Sequence, residues 1–340
     1  MLSDDARTFG YRAAIEGNPG LFRGARVLDV GCGTGILALF AARAGARHVV
    51  GVDGSEAIAA VAEEVVRRNG LGGAVRIVRA QVESMPDLPE PVDVIVSEWM
   101  GYCLLLECML QSVIAARDRF LKPGGAVLPD RATMHLAGVG AGALDLDYWN
   151  DVHGFDMGCV KAAIAQSQRG EALIQRIPAK DVVTGACRFA DFDLLTVTAA
   201  DLEAFEAPFD VRTALGRGAA CAGVGVWFDT PFSGRFLQHP VTLSTSPFAA
   251  PTHWVQTLLV LPEPVFLQAE PAAAAEPAAA RKKKDPAVGT GPEALAVGLR
   301  GTIRVARHTE DHRGLDVLLT YRPYAAAAEG QERTVAFEVK

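Results

Sequence analysis

The stretch RVLDVGCGTG, residues 26 to 35, constrains the fold of this 340-residue chain more than any other. A short apolar run enters a turn with glycines at 31, 33 and 35, and GILALFAARAG follows with helical spacing. Glycines at a strand-to-helix turn let a ligand approach the backbone closely, at a helix N-terminus. The alternation then continues. HVVGVDG reads as a second strand, and SEAIAAVAEEVVRRNG as a helix with Ser55 as N-cap and Gly70 as stop. VRIVRA and VDVIVSE are strands three and four, LLLECMLQSVIAARDRFL is helical, and AVLPD is strand five. Strands alternating with helices predict a doubly wound parallel sheet over residues 1–130.

After Pro129 the pattern changes to short strand-like runs separated by turns, among them TMHLAGVG, RFADFDLLTVT, AGVGVWFDTPF, WVQTLLVL and LDVLLTYRP. They suggest an antiparallel barrel or sandwich over residues 131–340, with the β-barrel as the expected form. Residues 143–176 lack strand alternation and look helical, and residues 268–294 are an Ala-, Pro- and Lys-rich loop. Its basic run, Arg281 to Lys284, reads as a solvated insertion before it reads as a contact for an acidic partner.

Charge and cysteine usage narrow the function classes. A net charge of −7 gives no nucleic-acid footprint. The six cysteines form no C-x-x-C pair, so neither a disulfide frame nor a zinc site is expected, and they read as reduced, mostly packed thiols. With no signal-peptide pattern and no membrane-length apolar run, the expectation is a cytoplasmic or nuclear protein.

The glycine turn carries chemistry of its own. A dinucleotide fingerprint would place a third glycine where Ile36 stands. Asp29 also precedes the glycines inside the strand, and Asp53 ends the second strand, where an acid can bind a ribose diol. The other reading is an ordinary glycine turn of an α/β protein. The combination resembles the class I methyltransferases that use S-adenosyl-L-methionine.

A second feature follows strand four. VSEWMGYCLLLECML sets Glu98 and Glu107 nine positions apart among apolar and aromatic residues, company that ionised carboxylates tolerate only with a cation. On a methyltransferase sheet this stretch resembles the double-glutamate loop of the protein arginine methyltransferases, in which the cation is the substrate guanidinium. PTHW (residues 251–254), DARTFGYR (5–12) and GFDM (154–157) resemble that family's Thr-His-Trp loop, its N-terminal stretch over the cofactor and the start of its dimerisation arm. The resemblance spans essentially the whole chain, in order.

It implies a role for each matching residue. Glu98 and Glu107 would grip the guanidinium, with His253 near Glu107 and paired with Asp4. Arg7 would pair with the methionine carboxylate of the cofactor, and Asp29, Gly31 and Gly33 would form the floor. Asp53 would hold the ribose and Glu83 the adenine amino group. Trp99, Met100, Tyr102 and Trp254 would wall the substrate channel, plain packing being the other reading of the first three. The implied partners are arginine-containing protein segments, Gly/Arg-rich ones included, and a second copy of the chain. The loop and Thr-His-Trp resemble the type I branch, whose product is asymmetric dimethylarginine.

The family carries a further Tyr- and Phe-rich helix upstream that covers the cofactor, whereas this sequence opens on Met1 and Leu2. His153 stands where an aromatic is usual. A methyltransferase acting on another acceptor and a silent binding protein remain the rival expectations.

Overall fold

The computed structural model describes residues 2–144, 146–167, 170–214, 218–268, 296–325 and 328–340. The predicted Ala/Pro/Lys loop, apart from Gln268, lies outside the described residues.

The first layer is an open parallel sheet. Helices α1 (Asp5–Glu16) and α2 (Pro19–Phe22) precede it. Then come β1 (Arg26–Val30), α3 (Ile36–Arg43), β2 (His48–Asp53), α4 (Glu56–Arg68), β3 (Val75–Arg79), β4 (Val92–Ser97), α5 (Leu110–Phe120) and β5 (Leu121–Leu128). The strand order is β3-β2-β1-β4-β5, all parallel. The chain therefore runs outward from β1 through β2 to β3, then restarts on the other side of β1 with β4. Ligands of open α/β sheets bind at such a switch point, beyond the carboxyl ends of the strands. Here those ends carry the glycine turn after β1 and the Glu98 loop after β4. Ser97 Oγ, at the end of β4, donates to the Val30 carbonyl at 2.8 Å and ties the two mouths together.

Local sequence chemistry sets the helix ends. Glu56 in the first turn of α4 and Arg67 and Arg68 in its last turn match the helix dipole. Asp4 caps α1 by accepting the Arg7 backbone N–H at 2.9 Å. The helix predicted from Leu104 begins only at Leu110. Cys103, Leu104, Glu107 and Cys108 instead have positive φ. Leu104, Leu105 and Leu106 are buried, so their apolar run reflects loop packing and not helical periodicity.

The second layer begins at β6 (Arg131–Gly140). After short 3-10 turns at Ala141–Leu144 and Leu146–Asn150 come α6 (Gly158–Ser167) and β7 (Leu173–Gln175). The remaining strands are β8 (Cys187–Asp193), β9 (Ala204–Arg212), β10 (Ala219–Phe232), β11 (Val241–Ser244), β12 (Gln256–Leu267), β13 (Gly298–Arg307), β14 (Leu315–Ala325), β15 (Ala328–Glu329) and β16 (Arg333–Val339). One antiparallel sheet runs β7-β12-β10-β6-β8 with β11 on β10; the other runs β15-β14-β13-β9 with β16 on β14. A bridge from Glu171 to Glu338 joins the β7 and β16 edges, and β8 lies beside β9, so the two sheets close on each other as a barrel.

Three expectations need correction. The helical span predicted over residues 143–176 ends by Ser167, because Leu173–Gln175 pairs with β12 as a strand too short to show alternation. The run RFADFDLLTVT is a strand only to Asp193, whose side chain and carbonyl take the N–H groups of Leu195, Thr196 and Val197 and turn the chain. The cysteines divide evenly: Cys32, Cys103 and Cys221 are buried, while Cys108 and Cys187 are half-buried and Cys159 is exposed.

Candidate functional site

A cleft of about 820 Å³ opens at the switch point. Arg7, Gly31, Gly33, Asp53, Glu83, Glu98 and Glu107 all line it, and Arg313 joins them from the barrel. The volume lies within the ~300–1,000 Å³ of small-molecule sites.

The glycine turn shapes its floor. Gly31, Gly33 and Gly35 have φ of +68°, +53° and +85°, a region that costs side-chain-bearing residues strain. Asp53 accepts the Gly33 N–H through Oδ2 and the Ser55 N–H through Oδ1, both at 2.8 Å. Each carboxylate oxygen keeps a second lone pair for a ligand hydroxyl. Asp29 does not line the cleft. It is fully buried beneath the floor and accepts the Ala38 N–H of α3 at 2.9 Å. Its role is therefore to hold α3 against β1, one layer below the position implied by resemblance.

Burial pushes the Asp29 carboxyl up to about 7, against the lowering effect of the Ala38 N–H. A raised folded-state pKa means the folded chain holds this proton longer than the unfolded one does. Its stabilising contribution is complete below the ordinary value of 3.8 and is lost as pH rises through about 7. Asp29→Asn keeps an acceptor for Ala38 and removes the titration. The variant should melt higher than wild type at pH 8 and lose that advantage at pH 4, which thermal unfolding at the two values reads directly.

On the cleft's roof, Arg7 and Glu98 form a buried pair, each side chain only 6% exposed. Arg7 Nε and Nη2 donate to Glu98 Oε2 at 3.0 and 2.8 Å. Burial pushes the Glu98 carboxyl above its ordinary value, and Arg7 opposes that shift. The remaining guanidinium nitrogen, Nη1, is buried and has no partner in the described structure. An unpartnered buried cationic N–H in a cleft suits an anionic ligand group such as a carboxylate. Glu83 is exposed at the far end, where it accepts the Ser112 hydroxyl at 2.5 Å.

Asp4 organises the roof. Besides capping α1, its Oδ2 accepts the His253 backbone N–H at 2.8 Å and meets His253 Nδ1 at 2.7 Å. The barrel loop carrying His253 is thus pinned to the helix carrying Arg7. The resemblance implied that His253 sits near Glu107 and pairs with Asp4; the Asp4 pairing is present here. Glu107 is half exposed, not enclosed in apolar surroundings, and its ion-pair partner is Arg313.

The residues assigned to a channel are mostly packed inside. Trp99 and Met100 are buried in the main core, and Tyr102 packs half-buried against it. Trp254 is buried and donates Nε1 to the Met100 carbonyl at 2.8 Å, anchoring the His253 loop to the Glu98 loop. None of the four lines the cleft. Sequence reasoning missed Arg313, which sits in the β13–β14 hairpin some 200 positions from Glu107 and belongs to no quoted motif.

Comparison with known proteins adds an independent line. The family described as "Methyltransferase domain" matches residues 27–125, and "Arginine methyltransferase oligomerization subdomain" matches residues 130–285. Probable protein arginine N-methyltransferase 3 of Oryza sativa subsp. indica is 40% identical over 357 residues, covering 98% of this chain and 56% of its own length. The chain thus spans little more than half of that relative. Protein arginine N-methyltransferase 1 of Schizosaccharomyces pombe is 44% identical over 265 residues, 76% of this chain and 74% of its own. A chain of the Trypanosoma brucei PRMT1 enzyme-prozyme heterotetrameric complex with AdoHcy superposes with a TM-score of 0.80 at 34% identity, covering 100% of this chain and 96% of that one. Arabidopsis thaliana protein arginine methyltransferase 10 does so with a TM-score of 0.81 at 28% identity, with the same coverage.

Proposed function

Since the chain belongs to the protein arginine N-methyltransferase family, we propose that it transfers methyl groups from S-adenosyl-L-methionine to guanidino nitrogens of protein arginines. The observation that carries this is one cleft onto which both the glycine turn and the two glutamates open. The AdoHcy in the trypanosome complex supports the choice of methyl donor. When bound, that donor supplies a methyl group activated on a sulfonium.

The residues present fit it. Arg7 Nη1 would take the methionine carboxylate, Asp53 the ribose hydroxyls, and Glu83 the adenine amino group; Gly31 and Gly33 leave room for the body of the ligand. A guanidinium keeps its proton below a pH of about 12, so its nitrogens are weak nucleophiles until something polarises them. Glu98 and Glu107 would hold the planar cation from two sides and draw its charge toward the gripped nitrogens, freeing the third to attack in line. Both Arg7 bonds land on Oε2 of Glu98, so Oε1 is available to a second cation. His253, held by Asp4, would orient the substrate-gripping loop or accept the departing proton.

The products we infer are monomethylarginine and asymmetric dimethylarginine, on the likeness of the glutamate loop and Thr252-His253-Trp254 to the type I branch. Mass spectrometry of a Gly/Arg-rich peptide incubated with protein and donor tests this. Additions of one and two methyl groups, with fragment ions of the asymmetric form, are expected. Transfer to another acceptor class alone, or none with bound donor, would overturn it.

A homodimer is the inferred assembly. The oligomerization-subdomain match supports it, as do Tyr148 and Phe155, which are 56% and 71% exposed on the segment between β6 and α6. Large exposed apolar side chains suit a partner surface. Light scattering should give a dimer mass that Phe155→Asp shifts to monomer; a wild-type monomer at all concentrations would count against the assembly.

A further inference from the structure

The two glutamates facing the cleft are each already held by an arginine of the same chain, in unlike ways. Arg7 holds Glu98 with two N–H groups, deep in the fold. Arg313 meets Glu107 with Nη2 at 3.0 Å from Oε1, and these side chains are 70% and 50% exposed. An exposed ion pair is weak and exchanges readily with a competing ion. The first arginine is thus part of the frame, and the second is replaceable.

The turn that presents Arg313 is built without its side chain. The hairpin between β13 and β14 closes on itself through His308 N–H to the Gly314 carbonyl at 3.0 Å and Gly314 N–H to the Asp311 carbonyl at 2.9 Å. Asp311 Oδ1 accepts the Arg313 N–H at 2.9 Å. The hairpin then docks on the glutamate loop by main-chain contacts. Glu107 N–H donates to the Arg313 carbonyl at 2.9 Å, and Cys108 Sγ donates to the His312 carbonyl at 3.1 Å. These contacts secure Glu107 at its φ of +73° whatever the Arg313 side chain does. The Arg313 guanidinium is therefore not needed to position the loop. It places the same chemical group a substrate would bring against the same carboxylate.

We propose that Arg313 is an internal competitor for substrate arginine, its guanidinium occupying Glu107 until an incoming arginine side chain displaces it. The proposal rests on the arginine-methyltransferase reading of this site. It makes Arg313 a residue that sets substrate affinity and selectivity: a segment that brings its guanidinium with further favourable contacts displaces Arg313, and a free guanidinium does so poorly.

The test is peptide binding without turnover. A fluorescein-labelled Gly/Arg-repeat peptide is titrated by anisotropy into the full chain saturated with S-adenosylhomocysteine. Arg313→Gln should tighten binding by about two- to fivefold, the scale of one exposed ion pair. Arg313→Lys, which keeps the charge, should stay near wild type. The gain should shrink as salt is raised, and it should vanish in the Arg313→Gln, Glu107→Gln double variant, because nothing is left to compete for. Unchanged or weaker binding in Arg313→Gln overturns the competition, and so does a gain that survives neutralisation of Glu107. A parallel methylation assay on wild type separates the two readings: absence of transfer there sinks the activity, whereas the anisotropy series alone decides the competition.

Discussion

Glu98→Gln is expected to lower methyl transfer by about 100- to 1,000-fold, the effect of removing one preorganised electrostatic contact from an active site, while S-adenosyl-L-methionine affinity changes little. The amide keeps the size of the side chain and an acceptor for Arg7, so the roof of the cleft retains its hydrogen bonds. What disappears is the charge that grips and polarises the guanidinium. Glu98→Ala would be a poorer probe, since stripping the partner from a buried Arg7 threatens the fold itself. Because burial raises the Glu98 carboxyl, its ionised form is lost, as pH falls, above the ordinary glutamate range. The acid limb of kcat/KM should accordingly lie above that range in wild type and be absent from the residual activity of the Gln variant. Calorimetry for the donor and peptide methylation across pH supply both readouts. Near-normal transfer by Glu98→Gln would falsify the carboxylate clamp.

The parts of the site that were legible in the sequence are those in which one residue type answers one local need. Glycines at 31, 33 and 35 mark a turn that requires positive φ, and Asp53 closes the strand beside it. Asp4 is visible as the residue before a helix, yet its second duty, holding His253 from 249 positions away, has no local signature. Glu107 shows why spacing misleads. Its neighbours Leu104, Leu105 and Leu106 are buried, which suggested an enclosed carboxylate on a helix, but positive φ at Leu104, Glu107 and Cys108 turns the glutamate outward to half exposure. Apolar flanks report where the backbone is buried, not where a long charged side chain ends. Arg313 was illegible for a related reason. A hairpin arginine next to aspartate and histidine reads as a solvated turn, and only closure of the barrel brings that turn against the glutamate loop.

The glycine turn supports the other large expectation. Gly31→Val should weaken donor binding by at least about 30-fold while the chain stays folded. Gly31 lines the cleft at φ +68°, and a Cβ there would stand 2.8 Å from Met109 Cε. The methionine tip is flexible and can yield, so this clash alone does not decide the outcome. Backbone conformation and ligand space do. A β-branched residue leaves the left-handed region to avoid a strain of about 1–2 kcal/mol, which tilts the turn, and binding must then restore it. The two γ-methyl groups also project into the volume the ligand would fill, an overpacking cost of about 1–3 kcal/mol. Together these come to about 2–5 kcal/mol, or on the order of 30- to several-thousand-fold in affinity. Gly33 offers the contrast: its Cβ would meet nothing within 4 Å, so Gly33→Ala carries strain without a clash and should weaken binding far less. Asp53→Ala should fall between them, because it removes a ribose contact and also frees the Gly33 N–H that Asp53 accepts. Calorimetric titration of the three variants, each checked by circular dichroism, sets the order. Donor affinity in Gly31→Val within twofold of wild type would show that the cofactor does not sit on this turn.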